Sequence, residues 1–459
     1  MTPVSPDLAW PPRLADGTEL LGQLKDSGFA EPPSLVRRAD GQVMQLSRLI
    51  YLVASLLDGS RGPDVIAAKA SAELGRTLSA GQVGYLLSAK LAPLGIVASA
   101  AASTAAPAAL PTASPLLALR ARATLLPAVA ADAAGAFLRP LFSWPVITAV
   151  IGGVAALDYW ILSVHGLAAA LRQLLNDPVD LLLVAGLSVA SALFHECGHA
   201  AGCRRGGARP GRIGVGIYLV WPAFFTNVTD SYRLSRAGRL RTDLGGLYFN
   251  LIFMLGLAGV YAGTSAKVLL LVIALTHLEM LEQLLPFVRF DGYFILSDLV
   301  GVPDLFARVV PVVRSSLSRG RGDPRATGLR RGARIVITAW VMLVVPLLIL
   351  TLGYLLLHLP AANRALWYSA TQAGHLSATD LSGHRYAAAA AAALGGALAV
   401  VSIAGSLYIV AGLLRRAVAR GARWSAGRPA RRLAAVLVGI ACAGPLALLW
   451  VAQGQFRDW

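Results

Sequence analysis

Charge is scarce in this chain. Only 14% of its 459 residues are Asp, Glu, Lys or Arg, whereas 56% are hydrophobic and the mean hydropathy is +0.62. A soluble domain usually carries about 25% charged residues, so the sequence implies a polytopic membrane protein. Cysteine is rarer still: Cys197, Cys203 and Cys442 are too few for a disulfide framework, and Cys197 reads as a small filler. The first 33 residues lack the basic start, apolar core and small-residue cleavage site of a secretory signal. The N-terminus is accordingly expected in the cytoplasm. Acidic residues are in deficit, 24 against 41 Lys and Arg, for a formal net charge of +17. The arginines cluster in loops beside apolar runs, as membrane topology predicts, so no nucleic-acid partner is expected.

What the chain does have is Phe194-His195-Glu196-Cys197-Gly198-His199, an H-E-x-x-H sequence in the second half of an apolar run from about Asp180 to Gly202. Residues four apart share a helix face, so His195 and His199 can present two imidazole nitrogens to one ion. That is a zinc-site spacing. Glu196 projects about 100° around the helix from His195, where a carboxylate serves as general base toward water at a metal. Two histidines on a helix can also be hydrogen-bonded within a bundle. Against that, an ionisable Glu in an apolar span is costly and marks a site.

Two histidines and a water leave a tetrahedral zinc one ligand short. The best candidate is Asp291, in Pro286-Phe287-Val288-Arg289-Phe290-Asp291-Gly292-Tyr293 at the end of another apolar run. There Pro286 stops or bends the helix and Gly292 relaxes the backbone beside the carboxylate.

Together these residues resemble the site-2-protease-like intramembrane zinc metalloproteases. Within them, Arg289 to Tyr293 is similar to the Arg-Phe-Asp-Gly-Tyr signature of the peptide zinc metalloproteases. The resemblance covers about Ala192 to Leu305. It implies one Zn2+ per chain on His195, His199 and Asp291, with Glu196 as the base. The family often has Asn three residues before the proline. Here Gln283 stands there, one methylene longer, and any role of that Asn is either in doubt or has moved to Asn250.

Taken in order, residues 1–33 are rich in Pro, Gly and charge and read as a flexible tail. Residues 34–97 read as a small α+β unit. A hairpin is expected at Leu35-Val36 and Val43–Leu46, turning at Asp40-Gly41, then helices over Ser47–Leu57, about Gly62–Leu74 and Ser79–Leu91, with Ser79 as an N-cap. A wing followed by three helices is similar to the PqqD-like domains that bind leader peptides of ribosomally made peptides. A plain regulatory or docking domain is the other reading. Residues 98–140 read as a linker whose Pro107 and Pro111 forbid a span, followed by an interfacial amphipathic helix with Arg120 and Arg122.

Residues 141–459 read as the membrane domain, with seven spans at roughly 144–164, 180–202, 244–263, 267–288, 333–358, 387–414 and 433–452, each near the about twenty apolar residues a bilayer needs. Arginines number eight in 203–243, nine in 289–334 and seven in 415–432. Lys and Arg together number one, one and two in 165–179, 264–267 and 359–385. The positive-inside rule then predicts N-terminus in, C-terminus out, and a plasma-membrane location with the ligands near the cytoplasmic face.

Between the second and third spans, Gly214 to Pro222 and Phe224 to Thr229 read as a short hairpin. Either an extended substrate adds to its edge at Gly214 and Gly216, or it is an interfacial hairpin without a ligand. Asn250 is an oxyanion donor or a structural hydrogen-bonding residue. The roles of Asp158, His277, Glu279 and Glu282, ionisable groups within spans, stay open.

The function expected is a zinc-dependent intramembrane endopeptidase acting on a peptide or membrane-anchored precursor. Removal of the leader of a ribosomally made peptide fits the N-terminal unit, with a peptide exporter or precursor-peptide pathway proteins as partners. The alternative is a zinc-bearing membrane subunit that binds or exports a peptide uncut.

Overall fold

The computed structural model describes residues 11–39, 42–98, 120–165, 178–218, 221–317 and 328–452. In the N-terminal unit, strands β1 (Glu19–Gln23), β2 (Ser34–Arg37) and β3 (Val43–Leu46) form an antiparallel sheet in the order β1-β2-β3. Against it pack α1 (Arg48–Ser55), α2 (Pro63–Leu74) and α3 (Ala80–Tyr85), the last continuing as a π turn over Leu86–Leu91. Local chemistry sets the helix ends. Ser47 accepts from the Ile50 amide, Ser79 and Gln82 form a reciprocal capping box, and Gly75 closes α2 at φ 63, a left-handed conformation that suits glycine. Val36, Val53, Ile66, Leu87 and Leu91 fill the core.

The expected tail over 1–33 needs correcting, because β1 lies within it and pairs with β2. Its polar composition hid a strand that gains its order from the neighbouring sheet. Residues 1–10, the Asp40-Gly41 turn and the linker over 99–119 lie outside the described residues.

The interfacial helix also changes. Arg120–Leu126 is a strand, β4, and only Ala128–Leu138 is helical, as α4. Pro127 is the boundary, since its fixed φ starts a helix but cannot continue one. α4 packs on the membrane domain, with Ala131 buried and Gly135 so close that an added Cβ would lie 2.9 Å from the Ala200 carbonyl.

The rest is mostly helical. α5 (Trp144–Trp160) runs into a π turn, and α6 (Pro178–Arg205) carries the H-E-x-x-H sequence. The hairpin follows as β5 (Ile213–Tyr218) and β6 (Trp221–Thr226), joined by β4 into a sheet ordered β4-β5-β6. Then come α7 (Arg236–Asp243), α8 (Gly245–Thr264), α9 (Val268–Leu284), α10 (Asp291–Val300), α11 (Phe306–Leu317), α12 (Arg331–Ser382), α13 (Tyr386–Ser425) and α14 (Pro429–Ala452).

Among the described residues, six helices, α5, α6, α8, α12, α13 and α14, are long and apolar enough to cross a membrane. Their outward side chains include Leu162, Leu350 and Leu448, all largely exposed, as lipid-facing surfaces require. The chain is a membrane-spanning protein. α9, expected as a further span, has 17 residues. The stretch 359–385, expected as a loop, continues α12 to Ser382, and α13 runs on through Arg415 and Arg416. At 52 residues α12 is about 78 Å long against a hydrocarbon core of about 30 Å, so it projects well beyond the bilayer. Its own alanines, from Ala361 to Ala378, explain the continuation, because residues with good helix propensity do not stop at the membrane surface. Ser406 donates to Asn363 at 2.8 Å and Trp450 to the Leu356 carbonyl at 3.0 Å, tying α12 to α13 and α14.

Small residues on α6 let neighbouring backbones reach the motif. An added Cβ at Gly198 would lie 2.2 Å from the Gly245 carbonyl, and one at Gly202 would lie 2.7 Å from that of Arg241. This is the small-x-x-x-small packing of membrane helices. Gly198→Ala is therefore expected to lower stability in detergent by about 1–3 kcal/mol, the usual cost of overpacking. Thermal unfolding checks it, and a parental midpoint would mean that the crossing tolerates a methyl group.

Candidate metal centre

The apolar run around the motif folds as a helix, so His195 and His199 fall one turn apart on the face of α6 turned toward α7, α8 and α10. Both are buried, as is Glu196. Asp291 enters from the first turn of α10, where the helix dipole favours a carboxylate. The chain around it is pinned at three points. The Arg289 amide donates to the Tyr218 hydroxyl at 3.1 Å, Trp340 Nε1 donates to the Pro286 carbonyl at 2.8 Å, and the Tyr293 ring stacks on Phe306 with centroids 5.1 Å apart. Gly292 is required by space, since its Cβ would lie 2.0 Å from the Leu284 carbonyl.

The structure brings all four predicted residues together. The Nε2 atoms of His195 and His199 are 3.1 Å apart. Asp291 Oδ2 lies 3.1 Å from His195 Nε2, and its Oδ1 lies 3.5 Å from His199 Nε2. The ligand atoms of His195, Glu196 and His199 lie within 4.8 Å of one another. Ligands about 2.0–2.1 Å from a tetrahedral zinc stand about 3.3 Å from each other, which is the spacing seen. Asp291 Oδ2 is moreover buried and, beyond the 3.1 Å approach of His195 Nε2, has no hydrogen-bond partner, so the atoms converge on a common point. The donor set fits a zinc ion. Burial opposes charge on Asp291, but the His199 imidazole outweighs it and holds the carboxyl below the usual carboxylate range.

The surroundings orient the ligands. His199 Nδ1 lies 2.8 Å from the Thr242 carbonyl. A carbonyl only accepts, so the proton sits on Nδ1 and leaves Nε2 free for a metal. Gly246 opens the space beside the other ligand, because a Cβ there would lie 2.3 Å from His195 Nε2. Thr226, at the end of β6, approaches Glu196 from the sheet, with its hydroxyl 2.7 Å from Oε2 and 2.9 Å from the Glu196 carbonyl. Thr226, Thr242 and Gly246 were not singled out from the sequence. Only the Gly198-x-x-x-Gly202 spacing signalled the close packing that brings them in.

Other candidates separate. Asn250 is buried with Oδ1 unpartnered, on α8 one turn beyond Gly246, and Gln283 Oε1 is likewise buried and unpartnered. Gly214 and Gly216 do not offer a binding edge, because β5 is the middle strand with β4 on one side and β6 on the other. Gly214 serves packing instead, its Cβ position lying 2.2 Å from the Ala123 carbonyl. His277 donates from Nδ1 to the Ile273 carbonyl at 2.9 Å and places Nε2 3.2 Å from Asp158, a polar link between α9 and α5.

No family model matches the chain, and no solved structure matches it. Over 110 residues the chain is 28% identical to the Bacillus subtilis (strain 168) protein named "Putative peptide zinc metalloprotease protein YydH". The match covers 24% of this chain and 44% of that protein, so the chain is matched to less than half of its relative.

Metal analysis of the purified protein is expected to find about one zinc per chain, as three ligands with one open position require. His195→Ala and Asp291→Ala should each abolish tight binding. If they retain as much metal as the parent, these residues are not its ligands.

Proposed function

We propose that the chain is a zinc-dependent endopeptidase of the site-2-protease-like type, hydrolysing a peptide or membrane-anchored precursor. The observation that carries this reading is the convergence of two imidazole nitrogens and a buried carboxylate oxygen beside a second buried carboxylate. The peptide zinc metalloprotease name of the Bacillus subtilis relative supports it. Zinc on His195, His199 and Asp291 would supply Lewis acidity toward a water and a scissile carbonyl.

The chain's own residues supply the rest. Glu196 stands next to the first ligand on the helix and off its face, where its carboxylate takes the proton that an attacking water must lose and passes it to the leaving amine. Thr226 donates to that carboxylate and restricts its rotamers. A binding-only site needs neither group. β6 is the terminal strand of its sheet among the described residues, so an extended peptide pairing there would pass close to Thr226 and Glu196. Asn250, buried on α8, is the candidate oxyanion donor through its side-chain NH2 group.

In this reading the N-terminal unit recognises a leader peptide and the substrate comes from a precursor-peptide or export pathway. The protein lies in the plasma membrane with seven spans, N-terminus in and C-terminus out, on the strength of the arginine distribution.

Glu196→Gln keeps volume and hydrogen bonding but cannot accept the proton. It is expected to lower hydrolysis of a proteome-derived peptide pool by about 10²–10⁴-fold, read by mass spectrometry, with zinc content unchanged. Undiminished cleavage would remove the protease assignment, and undiminished cellular function would favour an uncut-peptide carrier.

Thr226→Val should lower the turnover rate about tenfold, because a hydrogen bond to a charged group is worth about 1.5–3 kcal/mol. Thr226→Ser should restore it. Equal rates for Val and Thr would show that the hydroxyl does not help the base.

A further inference from the structure

Arg239 is the most deeply buried cation described, with no exposed surface at all. Isolating a guanidinium from water is expensive, and matched donors offset part of that cost. Nε donates to Asp298 at 2.8 Å and Nη1 donates to the carbonyls of Leu234 at 3.0 Å and Lys25 at 3.2 Å, while Nη2 is buried without a partner. These partners belong to three different parts of the chain. Leu234 lies just before the Ser235 cap of α7, Asp298 lies on α10, and Lys25 belongs to the N-terminal unit between β1 and β2.

Two of those parts hold the metal centre. α7 carries Thr242, whose carbonyl accepts from His199, and α10 begins at Asp291. Arg239 therefore joins the support of one ligand to the helix that delivers another. Asp243, beside Thr242, completes the junction. Burial, and then the neighbouring Asp298 carboxylate, push its carboxyl well above the ordinary range.

The third part is docked by backbone contacts. The Gly28 amide donates to the Gly301 carbonyl and the Arg330 amide to that of Gly28, both at 2.8 Å, while Asp26 accepts from the Arg236 amide at 2.9 Å. The fit has no slack. A Cβ at Gly28 would lie 2.2 Å from the Val300 carbonyl, and one at Gly301, at φ +72, would lie 2.5 Å from that of Asp26. The segment 25–30 is inlaid against the end of α10.

We propose that Arg239 is a positioning residue through which the docked segment 25–30 sets the Thr242 carbonyl behind His199 and the start of the helix bearing Asp291, so that metal retention depends on N-terminal docking. The proposal rests on the metal centre read above. It makes the N-terminal unit a part of the site's outer support, beyond any role in holding a peptide. An occupant that displaced the segment would loosen the metal.

The test uses the full chain in detergent. Arg239→Lys keeps the charge but loses the fork, and Gly28→Ala crowds the docked segment without altering a side chain at the site. Zinc affinity is read by competition with a chromophoric chelator, and thermal unfolding is followed with and without zinc. Both variants are expected to bind zinc about tenfold more weakly, at the low end of the 10–100-fold loss typical of outer-shell changes. The zinc-dependent rise in Tm should shrink, with helical circular dichroism unchanged. A merely structural role would lower both midpoints equally and leave affinity at the parental value, and that result overturns the proposal. If Arg239→Lys does not fold, Gly28→Ala decides alone. Parental zinc binding by His195→Ala would instead sink the metal centre itself.

Discussion

The contact on which the rest depends is the backbone approach of α6 to the chain around Gly245. With no side chain at Gly198, Gly245 or Gly246, the two segments meet through their peptide groups, and the Gly198 and Gly245 carbonyls occupy the space where side chains would otherwise stand. Water and lipid are both excluded there. Under that exclusion the Thr242 carbonyl reaches His199 Nδ1 at 2.8 Å and orients the buried imidazole. The helix crossing thus fixes the chemistry of a ligand before any metal is considered.

How much of this was legible in the sequence depended on whether a signal was local. The H-E-x-x-H spacing, the Ser79 cap and the apolar runs are each read within a few residues, and the structure forms each of them. β1 and β4 were missed because both are stabilised from outside themselves. β1 leans on β2, and β4 leans on β5, a partner more than eighty residues away. Pairing of that kind leaves little trace in composition. Helix ends beyond the bilayer were missed for a related reason. Hydropathy reports where lipid stops, while α12 continues to Ser382 on helix propensity and packing.

The site shows the same division. Groups that would touch a metal or a reacting atom announce themselves by residue type, since few side chains do that work. Thr226, Thr242 and Arg239 do not, because a threonine or an arginine beside an apolar run has many uses. Gly214 and Gly216 illustrate the converse, a plausible glycine pattern that the sheet uses for close strand packing, with β5 enclosed on both sides.

If Glu196 is the base proposed above, its burial raises a problem that Thr226 addresses. A buried carboxylate without partners would either shed its charge or turn toward whatever cation lies nearest, and here the nearest candidate would be a metal held by His195 and His199. As a ligand, Glu196 would be lost as a base. The Thr226 hydroxyl, 2.7 Å from Oε2 and fixed by β6, gives the carboxylate a competing partner. Because the same hydroxyl also contacts the Glu196 carbonyl, it ties the strand to the helix at the very residue whose orientation matters. The sheet therefore does two things at one point: it presents a terminal strand, and it decides whether the neighbouring carboxylate binds or works.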